Sequence, residues 1–533
     1  MDQITTPTRS RWWPLVAICL GTFMLLVDVT IVSVALPSMA GDLHASLSSL
    51  QWVVDAYALS LAALLLLSGT LADRFGRRRA FQAGLMLFAS ASLCCALAPS
   101  AGLLIAARTV QGAGAAAMFA TNAALLNATY QGQDRGVAFG VWGAVTGAAA
   151  ALAPILGGVL IDAFDWRAIF LVNLPIAAVA IVMTQRVLAE SHGHSGKLDW
   201  LGAFWFTLSA GSITFALIHG GEAGWGATTT VAAFAVAAVA LLVFLAVEPR
   251  RASPLMDLSL LRDRSFAALM LAAVALAAGA FAALLYTQLW LQSVLNMSAI
   301  DAGLVVAPLA AVAFAASAGI GRFMHRIPPQ FPLGLGLLLI GGGSLLRTGF
   351  SASSGWSVMI PGLVLTGFGV GVASPVLISA TLGAVHPARA GMASGIVNTF
   401  RQLGYALGIA ALGTLFTSRM ESSFASSGAL ANPHTAAAQA SQGAARGLIA
   451  ASPPNARALV EHAVRAAYAS SQNSIYLVAG LTALAGGAAV LAFVRAAAQP
   501  ETAASPRGAG DDGTGDGEQT QLRPLPAGGA ARA

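Results

Sequence analysis

Charge is what this chain has least of: Asp, Glu, Lys and Arg together make up 9% of its 533 residues, while 57% are hydrophobic. A soluble domain carries about 25% charged residues, so a water-facing fold of this size, and with it a soluble enzyme, is excluded. Lysine is almost missing. Lys197 stands alone, and every other basic residue is Arg. A phosphate-binding loop needs Gly-x4-Gly-Lys-Ser/Thr, but Lys197 is followed by Leu198 and Ser191 stands where the first Gly belongs. ATP is therefore excluded as this chain's energy source. Neither His-Glu-x-x-His nor Gly-x-Ser-x-Gly occurs, which removes zinc-protease and serine-hydrolase chemistry. His192 and His194 sit in a hydrophilic loop and read as solvated. The three cysteines, Cys19, Cys94 and Cys95, all lie in apolar stretches and read as packing, since a disulfide framework needs cysteines in oxidising loops.

Apolar length is what is abundant. Phe81–Ala107, Ser265–Ile300, Thr348–Val385 and Ala466–Val494 contain no Asp, Glu, Lys or Arg, and each exceeds the ~20 residues that cross a bilayer as a helix. Breaks at Gly, Pro and charged clusters divide the chain into fourteen apolar runs. They are 14–36, 50–71, 80–99, 102–126, 136–161, 168–188, 198–219, 228–247, 266–290, 301–321, 331–350, 355–382, 393–417 and 474–495. With the N-terminus placed in the cytoplasm, 20 of the 28 basic residues fall on the inner side, 6 on the outer side and 2 (Arg108 and Arg401) within helices. That positive-inside bias predicts an even number of spans with both termini cytoplasmic. The net charge of +6 thus speaks of orientation in a lipid bilayer and not of nucleic acid. No cleavable signal is expected, because the first run is too long and lacks a small-residue cleavage site. Residues 418–473 are expected to form a long external loop whose part Pro454–Ser471 is an amphipathic helix, and residues 500–533 a disordered cytoplasmic tail. An Ala- and Gly-rich chain with Arg in place of Lys fits a GC-rich bacterial genome, hence a bacterial cytoplasmic (inner) membrane.

Between runs two and three stands Gly69-Thr-Leu-Ala-Asp73-Arg74-Phe-Gly76-Arg77-Arg78-Arg79. Gly permits close helix approach and a tight turn, Asp73 can face a helix N-terminus, and the arginines anchor the inner side. The plainer reading is a positive-inside stop without mechanism. The spacing recurs in degenerate form at Gly321-Arg-Phe-Met-His325-Arg326, which suggests an internal repeat. Run one contains Leu26-Val-Asp28-Val-Thr30, run two Gln51-Trp52-Val-Val-Asp55-Ala-Tyr57, and run four Arg108-Thr-Val-Gln111-Gly112. A charge inside a span is costly and marks a partner or a purpose. At a rise of ~1.5 Å per residue, Asp28 lies about 12 Å and Asp55 and Arg108 about 8 Å from the outer ends of their helices. Two carboxylates and one guanidinium in one outer half-layer would favour a proton on one carboxylate. A purely structural Asp–Arg pair is the alternative. Run five carries Gly143-x3-Gly147 and Ala153-Pro154-Ile-Leu-Gly157-Gly158, in which Pro bends and small residues pack.

These motifs, together with Asp165-Trp166-Arg167-Ala-Ile-Phe170-Leu-Val-Asn173-Leu-Pro175 and Gly391-Met-Ala-Ser394-Gly-Ile-Val-Asn398-Thr-Phe-Arg401-Gln402, resemble the major facilitator superfamily, in its fourteen-helix drug:proton antiporter branch. The resemblance implies an all-α polytopic membrane protein with fourteen transmembrane helices: six-helix bundles over 1–190 and 261–499, with two inserted helices over 191–260. It implies a conformational latch at Gly69, Asp73, Arg74, Gly76 and Arg77, a helix-5 hinge at Pro154, Gly157 and Gly158, and proton coupling by Asp28, Asp55 and Arg108. No cofactor is implied; the proton gradient supplies the energy. Gln111, Asn122, Phe281, Tyr286 and Gln288, with Trp290, are candidate cavity residues for small-molecule substrates; packing or lipid contact is the alternative for each. A cavity of net negative charge would suit lipophilic cationic compounds. A periplasmic adaptor would be a partner in a Gram-negative cell. The rival readings are an exporter dedicated to one metabolite or antibiotic, and a non-transporting receptor or scaffold on the same fold. Arg401 has no carboxylate in runs nine to fourteen to pair with.

Overall fold

Every one of the fourteen apolar runs falls on a helix. The computed structural model describes residues 11–43, 47–193, 199–251, 254–324, 326–441, 443 and 445–495. The long helices are α1 (Trp13–Leu43), α2 (Leu47–Phe75), α3 (Arg77–Ala96), α4 (Ala101–Thr129), α5 (Gly132–Ala163), α6 (Asn173–Val187), α7 (Trp200–Ala223) and α8 (Thr228–Val247). They continue with α9 (Arg264–Leu276), α10 (Ala299–Gly321), α11 (Gln330–Leu345), α12 (Ile360–Gly383), α13 (Ala390–Ser427) and α14 (Arg457–Phe493). Among the described residues, 11 helical segments are long and apolar enough to cross a membrane, and α11 is a shorter apolar helix. The described part belongs to one compact unit, Met1–Ala496.

The helix ends are set by local chemistry. The Ser100 hydroxyl accepts from Leu103 N–H at 3.4 Å to start α4, and Asp199 accepts from Gly202 N–H at 2.9 Å to start α7. Asp263 opens α9 and Ser298 opens α10 in the same way, each satisfying a donor that the first turn leaves orphaned. Gly76, at φ 109°, lets α2 turn directly into α3.

Three details depart from the sequence pattern. The ninth run is one continuous rod of mixed pitch: α9 passes into a π-helical segment at Ala277–Ala282, an α-helical turn at Ala283–Leu289 and a second π segment at Trp290–Val294. The sixth run is split, with a single turn at Ala168–Leu171 before α6. The expected amphipathic helix of the external loop is the first part of α14, which runs unbroken for 37 residues. No proline occurs between Arg457 and Phe493, whereas Pro453 and Pro454 stop it just upstream. The loop proper is correspondingly short. It holds helices Pro433–Ser441 and Ala445–Ala451, whose Ala436, Ala437, Ala440 and Ala445 are buried against α14 residues such as Tyr468. The tail expected at 500–533 lies outside the described residues, as do Lys197 and His325.

Packing follows the small residues. α2 and α3 lie along α4, α5 along α10, α11 along α12 and α14, and α13 along α2 and α14. At Gly114 an added Cβ would meet Phe88 N at 2.8 Å, and at Gly112 the Tyr57 carbonyl at 2.5 Å. Between helices in lipid, where apolar burial drives little, this close backbone approach supplies dispersion contact instead.

Candidate functional site

Two polar assemblies bear on the candidate site. The first lies within the bundle. Asp28 of α1 and Arg108 of α4 are both 0% exposed, and Arg108 Nη1 donates to Asp28 Oδ2 at 2.5 Å. Gln111, one turn further along α4, donates from Nε2 to Asp28 Oδ1 at 3.0 Å and accepts at Oε1 from Arg108 Nη1 at 2.7 Å. Asn173, on the first turn of α6, donates to the same Asp28 oxygen at 3.0 Å. The Ser92 hydroxyl of α3 accepts from Gln111 at 2.7 Å and from Asn173 at 3.2 Å. α2 supplies the Val53 carbonyl, 3.0 Å from Arg108 Nε, and the Tyr57 ring, whose centroid is 4.2 Å from the guanidinium carbon. Arg108 Nη2 has no hydrogen-bond partner among the described residues. Asp28 is thus an ion-paired carboxylate accepting three hydrogen bonds in a dry site, and one side chain ties α1 to α4 and α6.

The structure brings Asp28 and Arg108 into contact. Asp55 lies on α2 between Val53 and Tyr57, both of which touch Arg108, and at ~100° per residue it points about 160° away from Tyr57 around that helix. The ion pair itself is Asp28–Arg108. Gln111 is fully buried and bonded to Asp28, which makes it part of this network. Asn122 is also fully buried and donates to Thr22 at 2.9 Å, where Trp142 Nε1 donates as well. Tyr286 is packed inside the second bundle. Its hydroxyl donates to the Ile409 carbonyl at 2.9 Å and its ring lies 5.3 Å from Phe416. Trp290 is fully buried edge-on to Phe350. Phe281 and Gln288 are half-buried, Phe281 against the larger apolar core and Gln288 accepting from Gln292 at 3.4 Å. Arg401 is half-buried with no hydrogen bond or ion pair among the described residues.

Sequence reasoning missed Ser92 and gave Asn173 no role. Asn173 had a signal, being an amide at the start of an apolar run. Ser92 had none, since a lone serine in a small-residue helix is ordinary.

The second assembly is at the end of the bundle where α2 meets α3. Asp73 is 5% exposed. Its Oδ1 accepts from Arg77 Nε at 2.8 Å and from Gly391 N–H at 3.0 Å, and its Oδ2 accepts from Met392 N–H at 3.0 Å. Gly391 and Met392 lie in the first turn of α13, so Asp73 caps that helix with a negative charge at its positive end. Arg77 reaches further, donating to the Pro387 carbonyl at 2.9 Å. A Cβ on Gly69 would collide with the Gly391 carbonyl, and a Cβ on Gly391 would stand 2.5 Å from the Gly69 carbonyl. Gly76 is pressed against Glu190, whose carboxylate accepts from the Arg78 and Arg79 N–H groups at 3.0 and 3.2 Å. Arg74 is exposed and takes no part.

A parallel contact joins α5 to α10. Ser317 donates to the Gly140 carbonyl at 2.8 Å, Gly321 stacks on Gly136 and Gly140, and Arg135 donates to the Ser379 carbonyl of α12 at 3.3 Å. Farther along α5, Gly157 faces Ile31 of α1 and Gly158 faces Ile300 of α10. The helix is continuous through this region, and the Pro154 side chain lies outside the description.

Comparison with known proteins agrees with this architecture. The chain is 35% identical over 411 residues, 76% of each chain, to the multidrug resistance protein Stp of Mycobacterium tuberculosis. It is 32% identical over 508 residues to the tetracenomycin C resistance and export protein of Streptomyces glaucescens, covering 93% of this chain and 94% of that one. The proton:xylose symporter XylE superposes with a TM-score of 0.61 over 92% of this chain and 97% of its own, at 13% identity, a likeness of fold alone. The family model described as Major Facilitator Superfamily matches residues 18–409, and with a polytopic helical bundle, Gly–Gly crossings and a capped α13 in place, the chain belongs to the major facilitator superfamily of membrane transporters.

Proposed function

We propose that this chain is a proton-coupled exporter of drugs or other lipophilic toxic compounds, working by alternating access in a bacterial cytoplasmic membrane with both termini inside. The observation that carries the reading is the Asp28 site: a fully buried carboxylate whose only ionic partner among the described contacts is Arg108. Protonation of Asp28 would neutralise its carboxylate and leave Arg108 uncompensated. Arg108 would keep Gln111 Oε1, the Val53 carbonyl and the Tyr57 ring, all on α2 and α4, so the bond that weakens is the one to α1. A proton arriving from outside would thereby loosen α1 from α4 and α6, and its departure inside would restore the tie. The magnitudes are of the same order. Leaving one member of a buried pair uncompensated costs ~3–5 kcal/mol, and one charge crossing the membrane potential yields ~2.3 kcal/mol per 100 mV.

The latch supports the same reading. Asp73 joins α2 to α13 across the boundary between the bundles proposed over 1–190 and 261–499, with α7 and α8 inserted between them. Release of Asp73 from α13 would open the inner side.

The relatives' names favour drug or antibiotic substrates. A second reading, export of a single antibiotic, takes support from the relative named for tetracenomycin C. A resistance panel in cells lacking other pumps separates the two: several unrelated compounds for the first, one for the second. No resistance and no ligand-driven proton movement would point to a receptor or scaffold. A periplasmic adaptor is tested by co-purification and by whether the chain alone confers efflux.

A further inference from the structure

At the end of the bundle opposite the latch, a cavity of about 320 Å³ opens between the end of the α9 rod, the loop helix Ala445–Ala451 and the start of α14. Its wall includes Ser293, Asn296, Arg446, Arg457, Glu461 and Arg465, three guanidiniums against one carboxylate. Glu461 is already engaged by Arg465 at 3.3 Å. Arg446 and Arg457 have no acidic partner among the described residues. Backbone carbonyls orient them instead: Arg446 donates to Gln292 O at 3.0 Å, and Arg457 to Ser452 O at 3.2 Å and Ala450 O at 3.4 Å. Neutral carbonyls fix the direction of a guanidinium without cancelling its charge, and with five N–H donors on each most remain unspent.

Two further features converge on the same space. Arg457 is the first residue of α14, so the positive end of a 37-residue helix faces the cavity region. Asn296 holds φ 58°, the one non-glycine residue with positive φ among those described. Such backbone clusters at binding sites. At ~1.5 Å per residue α14 is about 55 Å long, well beyond the ~30 Å hydrocarbon core, and its charge-free stretch begins only at Ala466. The cavity therefore sits at or above the membrane surface, within reach of water.

We propose that this cavity binds a small anion carrying a phosphate or carboxylate group, gripped by Arg446 and Arg457 with Arg465 at its edge. Bound there, the anion bridges α9, the loop and α14. It thereby fastens the outer end of the π-helical rod that begins at Ala277. The source is either a soluble anion at the outer face or the headgroup of an acidic lipid, and the two share this chemistry.

The test uses the purified full-length protein in phosphatidylcholine nanodiscs, with citrate as soluble probe and glycerol as neutral control, read by calorimetric titration. Saturable citrate binding is expected, weakened about tenfold or more in the Arg446→Gln/Arg457→Gln variant, as loss of charge-assisted bonds demands. Glycerol should not bind. The Arg446→Lys/Arg457→Lys variant, which keeps the charge, should retain part of the affinity, and unchanged thermal melting of both variants shows that they are folded. Repeating the titration in phosphatidylglycerol nanodiscs assigns the source: suppressed citrate binding identifies a lipid headgroup, and unaltered binding a soluble anion. No saturation by about 10 mM citrate, or equal binding by the wild type and the Gln variant, overturns the site. The readout is independent of transport and of proton coupling.

Discussion

Asp73 and Gly391 are 318 positions apart, yet the Asp73 carboxylate accepts the Gly391 N–H at 3.0 Å and thereby closes α2 onto the first turn of α13. One side chain of α2 caps the start of α13. Charge-assisted hydrogen bonds contribute ~1.5–3 kcal/mol each, enough for a few of them to bias an equilibrium between open and closed arrangements of these helices.

Asp73→Asn should therefore uncouple the latch. Its neutral amide loses the ion pair with Arg77 at 2.7 Å and cannot accept at both positions from Gly391 and Met392. The expected outcome is a fall in efflux of about tenfold or more with normal membrane expression, measured as dye extrusion from cells lacking other pumps. Wild-type efflux would show that the cap is decorative.

Glycine contacts give a steric prediction with a built-in control. Gly69→Ala places a methyl group into the Gly391 carbonyl, whereas nothing stands within 4 Å of a Cβ at Gly102. Gly69→Ala should hold the latch end open, raising thiol-reagent labelling of a cysteine introduced at Ala388. Gly102→Ala should label like the parent.

The fold was legible because lipid imposes length. Runs of ~20 apolar residues had to be helices, and each fell on one. The Asp73 cluster stood out because Gly69, Asp73 and Gly76 fall within one short stretch of sequence and each has a local reason to be there. Asn173 and Ser92 did not, since their partner Asp28 lies 145 residues from Asn173 and meets it only once α6 has packed against α1. Tyr286 shows a related limit: sequence places it on an apolar helix but not on a face, and its hydroxyl meets the Ile409 carbonyl of α13. The helix at the start of α14 was legible but its continuity with the last span was not, because Arg457, Glu461 and Arg465 end the apolar run before the helix ends.

Gln111 offers a direct contrast between a network and a substrate-contact role. Gln111→Leu removes one of the three bonds to Asp28 and one acceptor of Arg108. If Gln111 acts through Asp28, efflux of every substrate in a chemically varied panel falls by a similar factor. A loss confined to one compound would return Gln111 to the substrate cavity.

Outside the spans, Asp257 and Arg389 make a pH-dependent tie at 2.6 Å. The Ser259 hydroxyl, first, and the Arg389 guanidinium hold the Asp257 carboxyl below its ordinary value. A depressed folded value stabilises above the unfolded value of ~3.9 and is lost as pH falls through the folded value. The Arg389→Gln variant should melt below the wild type at pH 7, by a small margin because the pair is partly exposed. The gap should close in strong acid. An equal gap at both pH values would exclude the pair as its cause.

The central claim is that Asp28 carries the proton. The measurement that addresses it is proton release on adding substrate to purified, weakly buffered protein, compared between wild type and Asp28→Asn, with substrate binding followed in parallel. The account predicts release by the wild type and none by Asp28→Asn, which still binds substrate and melts as a folded protein. Release of wild-type amplitude from Asp28→Asn would contradict it.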